Sequence, residues 1–372
     1  MERIKEFEGL RGLMAMWVVL GHTANSLAFA VPEPLPRNLS ARSAVDVFII
    51  LSGFVITLLI LEKRESFRAY ITRRFMRLFP VYLVCFVLSA LIMGIAHDAL
   101  LGAPVTPATP GRLAIMASAE AQWPLHAIAH LSLLHGLVDP WLPHASFAVL
   151  GQAWSVSVEW QFYLVAPLIV RACWKGQVLP GLVVLGSLVP LTLAFGTTRL
   201  GSLPSHGGLF ALGIIYCQLW RTIRAPNSGW TVQRVRAFSL VAFSAAMMAM
   251  SQRVGLCVWF AASHVVLCRA VAGDAMPVGE ARFSRLLASR GGQWLGDCSY
   301  SVYLCHMLVV YPVLYFLAAM GVSDLVQASL LPPVVVVGTL VLAKLLYRAV
   351  EMPFMRMGSK MARRLDSRGG SS

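Results

Sequence analysis

Arg11-Gly-Leu-Met-Ala-Met-Trp-Val-Val-Leu-Gly-His22 is an apolar run with a guanidinium at its start and an imidazole at its end. At ~100° per residue, eleven steps bring His22 back to within roughly 20° of Arg11, so a helix carries both on one stripe. At ~1.5 Å rise they lie about 16–17 Å apart along the axis. If the helix spans a bilayer, Arg11 sits near the face where the chain starts and His22 near mid-depth. An ionisable group at that depth is costly and marks a functional position by default. Taken alone, the pair also fits a charged flank and a hydrogen-bonded packing histidine.

The rest of the chain supports the membrane reading. Its 372 residues are 58% hydrophobic and 13% charged, with long uncharged runs throughout. That composition suits an all-α polytopic transmembrane helical bundle. Spans are expected at 9–30, 44–61, 79–97, 152–171, 178–196, 203–220, 237–252, 254–272, 297–319 and 329–350. Most Lys and Arg fall in alternate loops, Lys63 to Arg77 being the densest, so about ten spans with both termini cytoplasmic satisfy the charge bias. Small-x-small at Ala28-Phe29-Ala30 could be read as a signal-peptide cleavage site. Glu2, Glu6 and Glu8 before it, and Arg11 and His22 within the run, argue for a retained first span. Residues 1–355 read as one transmembrane domain and 356–372 as a basic cytoplasmic tail. The proline-rich stretch 98–150 differs in kind, with a semi-apolar helix at about 112–137 that is interfacial or re-entrant on the outer side.

The net charge of +14 follows the loops, and no aromatic-interleaved basic patch suggests nucleic acid. The seven cysteines are scattered in apolar runs and read as packing residues. His126, His130 and His135 have near-helical spacing but no acidic or Cys partner nearby, so no metal site is expected. Neither a nucleotide-binding Gly-rich loop nor a Gly-x-Ser-x-Gly elbow occurs.

Four further stretches carry chemistry. Asp46, inside the second span, needs a partner and could orient an imidazole. Arg73, Arg74 and Arg77 open the third span. They serve as positive-inside anchors or, with Arg11, as a seat for phosphates. Ser155, Glu159 and Tyr163 form an i, i+4, i+8 polar stripe able to hold the hydroxyls of a substrate. His306 is a second imidazole within an apolar run, following Ser299-Tyr-Ser-Val-Tyr303.

In order along the chain come Gly9-Leu-Arg-Gly12 with His22, Val45-Asp-Val-Phe…Ser52-Gly-Phe54, and Arg73-Arg-x-x-Arg77 with Pro80-x-Tyr82. Then follow Trp154-Ser…Glu159…Phe162-Tyr163, Ser299-Tyr…Tyr303-Leu-x-His306 and Glu351-x-Pro-Phe354. This ordered set resembles the integral membrane acyltransferase-3 family, which O-acylates bacterial cell-surface glycans, and the resemblance spans nearly the whole chain. It looks like a stand-alone member without the periplasmic hydrolase-like domain that some relatives carry. The resemblance implies an acyl-CoA donor (acetyl-CoA by default) bound as a substrate from the cytoplasm, and no tightly held cofactor. The implied acceptor is a glycan or lipid-linked glycan, such as O-antigen or exopolysaccharide, in a multi-pass protein of the bacterial inner membrane. Its implied catalytic residues are His22, Asp46 and Glu159. Arg11, Arg73, Arg74 and Arg77 would hold the donor, and Ser155, Tyr163 and His306 the acceptor. Membrane lipid is the expected surroundings, and the sequence leaves the oligomeric state open. The competing class is a secondary transporter of a small polar or acidic solute, which also uses charges at mid-depth. No pairing of broken segments between two halves supports it.

Overall fold

The computed structural model describes residues 3–28, 40–174, 200–249 and 254–369, and all regular structure among them is helical. The expected span at 178–196 lies outside the described residues. The longer helices are α1 (Lys5–Ser26), α2 (Ala41–Lys63), α3 (Phe67–Leu91) and α4 (Met93–Gly102). Three short helices follow, α5 (Thr109–Ala121), α6 (Trp123–Leu131) and α7 (His135–Val138). Then come α8 (Trp154–Trp174), α9 (Gly207–Arg224), α10 (Val232–Ala249), α11 (Val254–Ala272) and α12 (Val278–Leu287). The chain closes with α13 (Arg290–Cys305), α14 (Met307–Ala319), α15 (Asp324–Leu346) and α16 (Met352–Gly369).

Five of the described helical stretches are long and apolar enough to cross a membrane, and a sixth if the bent α13–α14 pair counts as one. Their surfaces carry the mark of a lipid environment. Along α15 the exposed residues are Val334, Val337, Val341 and Leu345, an apolar outward stripe at helical spacing. Helix α6 is inverted in the same sense. Leu125, Ile128 and Leu131 face out while His126 and His130 are fully buried.

The chain divides into two compact units. Unit one comprises Met1–Val18, Leu35–Lys63 and Gly208–Ser299; unit two comprises Val19–Pro34, Arg64–Gly207 and Tyr300–Ser372.

Unit one is built on glycine contacts. A Cβ on Gly12 would lie 2.6 Å from the Leu295 Cβ, and one on Gly296 would lie 2.3 Å from the Glu8 carbonyl oxygen. Only bare backbone lets α1 approach α13 this closely. The Gly9-Leu-Arg-Gly12 element is thus a packing surface as well as a carrier of Arg11. Gly53 of α2 and Gly213 of α9 make the same kind of crossing, against Phe210 and Ile50 respectively. Glu6, buried near the start of α1, accepts from Arg269 Nη1 at 2.8 Å and from Ser284 Oγ at 2.6 Å, which ties α1 to α11 and α12. A buried carboxylate needs such partners, because an unpaired charge there costs several kcal/mol.

In unit two, α3 begins at Phe67, earlier than the sequence suggests. Ser66 caps it by accepting from the Ala69 N–H at 3.3 Å and donates its hydroxyl to Asp366 Oδ1 at 2.7 Å. Residues 356–369 are therefore the continuation of α16, which packs along α3. Between α15 and α16 the turn Tyr347–Glu351 widens to π geometry. Pro353 explains it: the missing N–H and the ring deny residue 349 its ordinary partner, and a wider turn absorbs the clash. Glu351, on that turn, is buried and accepts from Ser301 Oγ at 2.7 Å.

Candidate active site

The expected continuous span 297–319 is in fact broken. Helices α13 and α14 meet at 55° with His306 at the junction. A helix that stops leaves its last carbonyls without intrahelical donors, and side chains take them up here. Gln152 Nε2 donates to the Leu304 carbonyl at 2.5 Å, and His306 Nδ1 lies 2.7 Å from the Tyr303 carbonyl. A carbonyl only accepts, so Nδ1 carries the proton and Nε2 keeps its lone pair. The bend thereby fixes the tautomer of its own histidine. Tyr303 donates its hydroxyl to the Gln152 carbonyl at 2.6 Å and receives the Ser155 hydroxyl at 2.7 Å, locking the start of α8 against the bend.

The His306 ring faces His22, with centroids 5.1 Å apart and planes inclined at 33°. His306 Nε2 and His22 Nδ1 are both buried and meet no hydrogen-bonding partner among the described residues. One turn beyond His22, the Ser26 hydroxyl donates to the His22 carbonyl at 3.1 Å. Ser26 in turn accepts from Arg112 Nη1 of α5 at 3.3 Å. The short-helix segment therefore delivers a cation to the neighbourhood of the imidazoles.

A second group forms along α8. Tyr163 donates its hydroxyl to Glu159 Oε1, and the Arg74 guanidinium sits 5.8 Å from the Tyr163 ring centroid. The three arginines of α3 part company here. Arg73 is committed to Glu65 at 2.6 Å and to Ser359 of α16 at 3.3 Å, and Arg77 points Nη1 at Met355 Sδ at 3.6 Å. Arg74 lies over the Tyr163 ring that Glu159 holds. Glu65, Gln152 and Glu351 are not among the expected site residues. Glu65 has a signal in the sequence, an acid set amid the arginines of residues 64–77; Gln152 has none.

The remaining expected residues belong to unit one. Asp46 is buried on α2. Arg11 lies 3.9 Å from Glu8, which also pairs with Arg3 at 3.4 Å. At the start of α1 a cavity of about 400 Å³ is lined by Arg3, Lys5, Arg224 and Arg269, with Glu6 and Asp274 opposing them. Arg224 stacks 4.5 Å over the Trp220 ring. Excess positive charge beside an aromatic wall suits an anionic ligand with a flat group.

His130 and His135 stack at 4.1 Å, with the Tyr82 hydroxyl 2.8 Å from His130 Nδ1 and His135 Nε2 donating to the Ala153 carbonyl at 3.1 Å.

The acyltransferase MdmB of Streptomyces mycarofaciens is 29% identical over 181 residues, 46% of this chain and 41% of that protein. The match therefore spans less than half of the curated relative's length. No solved structure matches the chain. A family model described as an acyltransferase domain matches residues 4–348, nearly the entire length. The chain belongs to the acyltransferase-3 family, a family of membrane proteins.

Proposed function

We propose that the protein is a membrane O-acyltransferase moving an acyl group, acetyl by default, from a cytoplasmic acyl-CoA to a hydroxyl of a cell-surface or exported glycan. The observation that carries this reading is the facing pair His22 and His306, each with one enclosed ring nitrogen lacking a protein partner. A sugar, with neighbouring hydroxyls, is the class of molecule that can engage two such nitrogens at once. His22 takes the proton of the attacking hydroxyl as its oxygen adds to the thioester carbonyl. The C–S bond then breaks, and the departing CoA thiolate recovers that proton from the imidazolium. His306, with Nε2 as acceptor, holds an adjacent hydroxyl. Asp46 would orient His22, and Glu159 with Ser155 and Tyr163 would position the acceptor. Arg11, Arg74 and Arg77, with Arg73 supporting them from its ion pair, supply cationic surface for the donor phosphates. The loop charges support about ten spans with both termini cytoplasmic, in the inner membrane of a bacterium.

The deciding experiment follows radiolabelled acetyl from acetyl-CoA in membranes containing wild type or His22→Ala. Label in extracted glycan that disappears in the variant at equal protein level is expected. Label lodged on the protein would replace direct transfer by an acyl-histidine route. No label from acetyl-CoA or longer acyl-CoAs would turn the reading towards a transporter.

A further inference from the structure

In unit one three metal-binding side chains converge. His264 and Cys268 stand one turn apart on α11, and Glu280 reaches them from α12. One donor atom from each lies within 4.8 Å of the others. His264 Nε2 is 3.6 Å from Cys268 Sγ and 3.7 Å from Glu280 Oε1. Tetrahedral zinc, with Zn–S near 2.3 Å and Zn–N near 2.0–2.1 Å, places its sulfur and nitrogen ligands about 3.5 Å apart.

A catalytic relay would look different. In a Cys-His-Glu triad the thiol and the carboxylate lie on opposite ring nitrogens. Here Ser239 Oγ engages Nδ1 at 3.0 Å, Glu280 Oε1 lies on the Nε2 side, and Cys268 Sγ stands beside the ring, 3.6 Å from Nε2 and 3.9 Å from Nδ1. That is the pattern of a metal site: one nitrogen turned to the centre and the other held by an outer partner. Arg236 donates Nε and Nη2 to that same Glu280 Oε1 at 2.9 and 2.5 Å, which holds the carboxylate beside His264. Burial raises the Glu280 carboxyl, but these hydrogen bonds outweigh it and hold the group below its ordinary range.

We infer that His264, Cys268 and Glu280 bind one divalent transition-metal ion, zinc by donor type, joining α11 to α12. Binding displaces the Cys268 thiol proton to solvent and forms the S–Zn bond. With three protein ligands the fourth position is left to water.

The test uses the purified full chain in detergent. Zinc is titrated against a chromogenic chelator, and cobalt serves as a spectroscopic stand-in. Wild type is expected to bind one equivalent and to show a thiolate-to-cobalt charge-transfer band. Zinc should also shield Cys268 from maleimide, mapped by mass spectrometry. Cys268→Ser should abolish the band. His264→Gln should weaken zinc at least about 100-fold, and Ser239→Ala about 10-fold. Wild type without the band, or Cys268 alkylated equally fast with and without zinc, overturns the inference even if every variant misfolds. Folded variants that bind zinc as wild type does overturn it as well.

Discussion

His306→Asn isolates one atom. The asparagine amide N–H₂ can reproduce the Nδ1 donor that reaches the Tyr303 carbonyl at 2.7 Å, while the Nε2 acceptor is deleted. If Nε2 holds a hydroxyl of the acceptor, that hydroxyl loses its partner in an enclosed pocket, at about 1–3 kcal/mol. At 1.36 kcal/mol per decade this is roughly a 5-fold to 150-fold loss in kcat/KM for the glycan. KM for the acyl donor should not change. His22→Ala should cost more, about 10²–10⁴ in kcat, because a general base is removed. His306→Gln is the companion. It restores a polar atom near the Nε2 position but orphans the Tyr303 carbonyl, so its main effect should be about 1–3 kcal/mol of stability. Initial rates with varied donor and acceptor, alongside thermal inactivation in detergent, separate these effects. The reasoning fails if His306→Asn stays within about twofold of wild type. It also fails if that variant loses kcat as heavily as His22→Ala, which would make His306 the base.

Arg73→Gln breaks an enclosed ion pair with Glu65 and should destabilise the α3–α16 contact by about 1–3 kcal/mol, whereas Arg74→Gln should spare stability and raise KM for the donor; thermal melts and donor kinetics on both variants check this. Gly53→Ala places a Cβ 2.5 Å from the Phe210 carbonyl oxygen, so unit one should lose about 1–3 kcal/mol, read as a lower melting temperature. Asp366 is held below its ordinary range by the Ser66 hydroxyl and the Ser66 N–H. Its contribution is therefore full above the unfolded carboxylate value near 3.9 and fades as pH falls through the lower folded value. Proteolytic release of α16 should rise below about pH 4 in wild type, and Asp366→Asn should release more readily at neutral pH with a flatter acid dependence.

Membrane class and helical content were legible because hydrophobic run length and loop charge act residue by residue, without knowledge of partners. The polar residues His22, Glu159, Tyr163 and His306 stood out for the same reason, each interrupting an apolar run. What the sequence hid was pairing. Nothing in one-dimensional spacing says that His306 meets His22, or that Gln152 serves a carbonyl near the end of α13. The break at His306 was invisible because both arms are apolar and Pro312 lies well inside the second. Helical spacing puts Arg73 or Arg74 on one face with Arg77. Their fates differ because Glu65 and α16 claim Arg73 from outside that helix.

The imidazole pair contrasts with the histidines of the 98–150 stretch. His135 lies 3.5 Å from the Tyr82 hydroxyl on one ring nitrogen and donates to the Ala153 carbonyl through the other. His126 and His130 each keep one buried nitrogen without a partner, but the His130 ring lies flat against His135 and its other nitrogen meets Tyr82. An orphaned buried polar atom costs about 1–3 kcal/mol. The orphaned nitrogens of His22 and His306 are on rings that face one another, and the helix is broken at the point that sets one of them. A bend supported by Gln152, Ser155 and Tyr303 is costly scaffolding for two unsatisfied atoms unless a ligand satisfies both. A polyhydroxylated molecule does so with adjacent hydroxyls, one held and one deprotonated. A simple ion would meet a lone pair at His306 Nε2 and could use the pair only as a cation. The geometry therefore separates the transferase from a carrier of anions at a single atom, the one that His306→Asn removes.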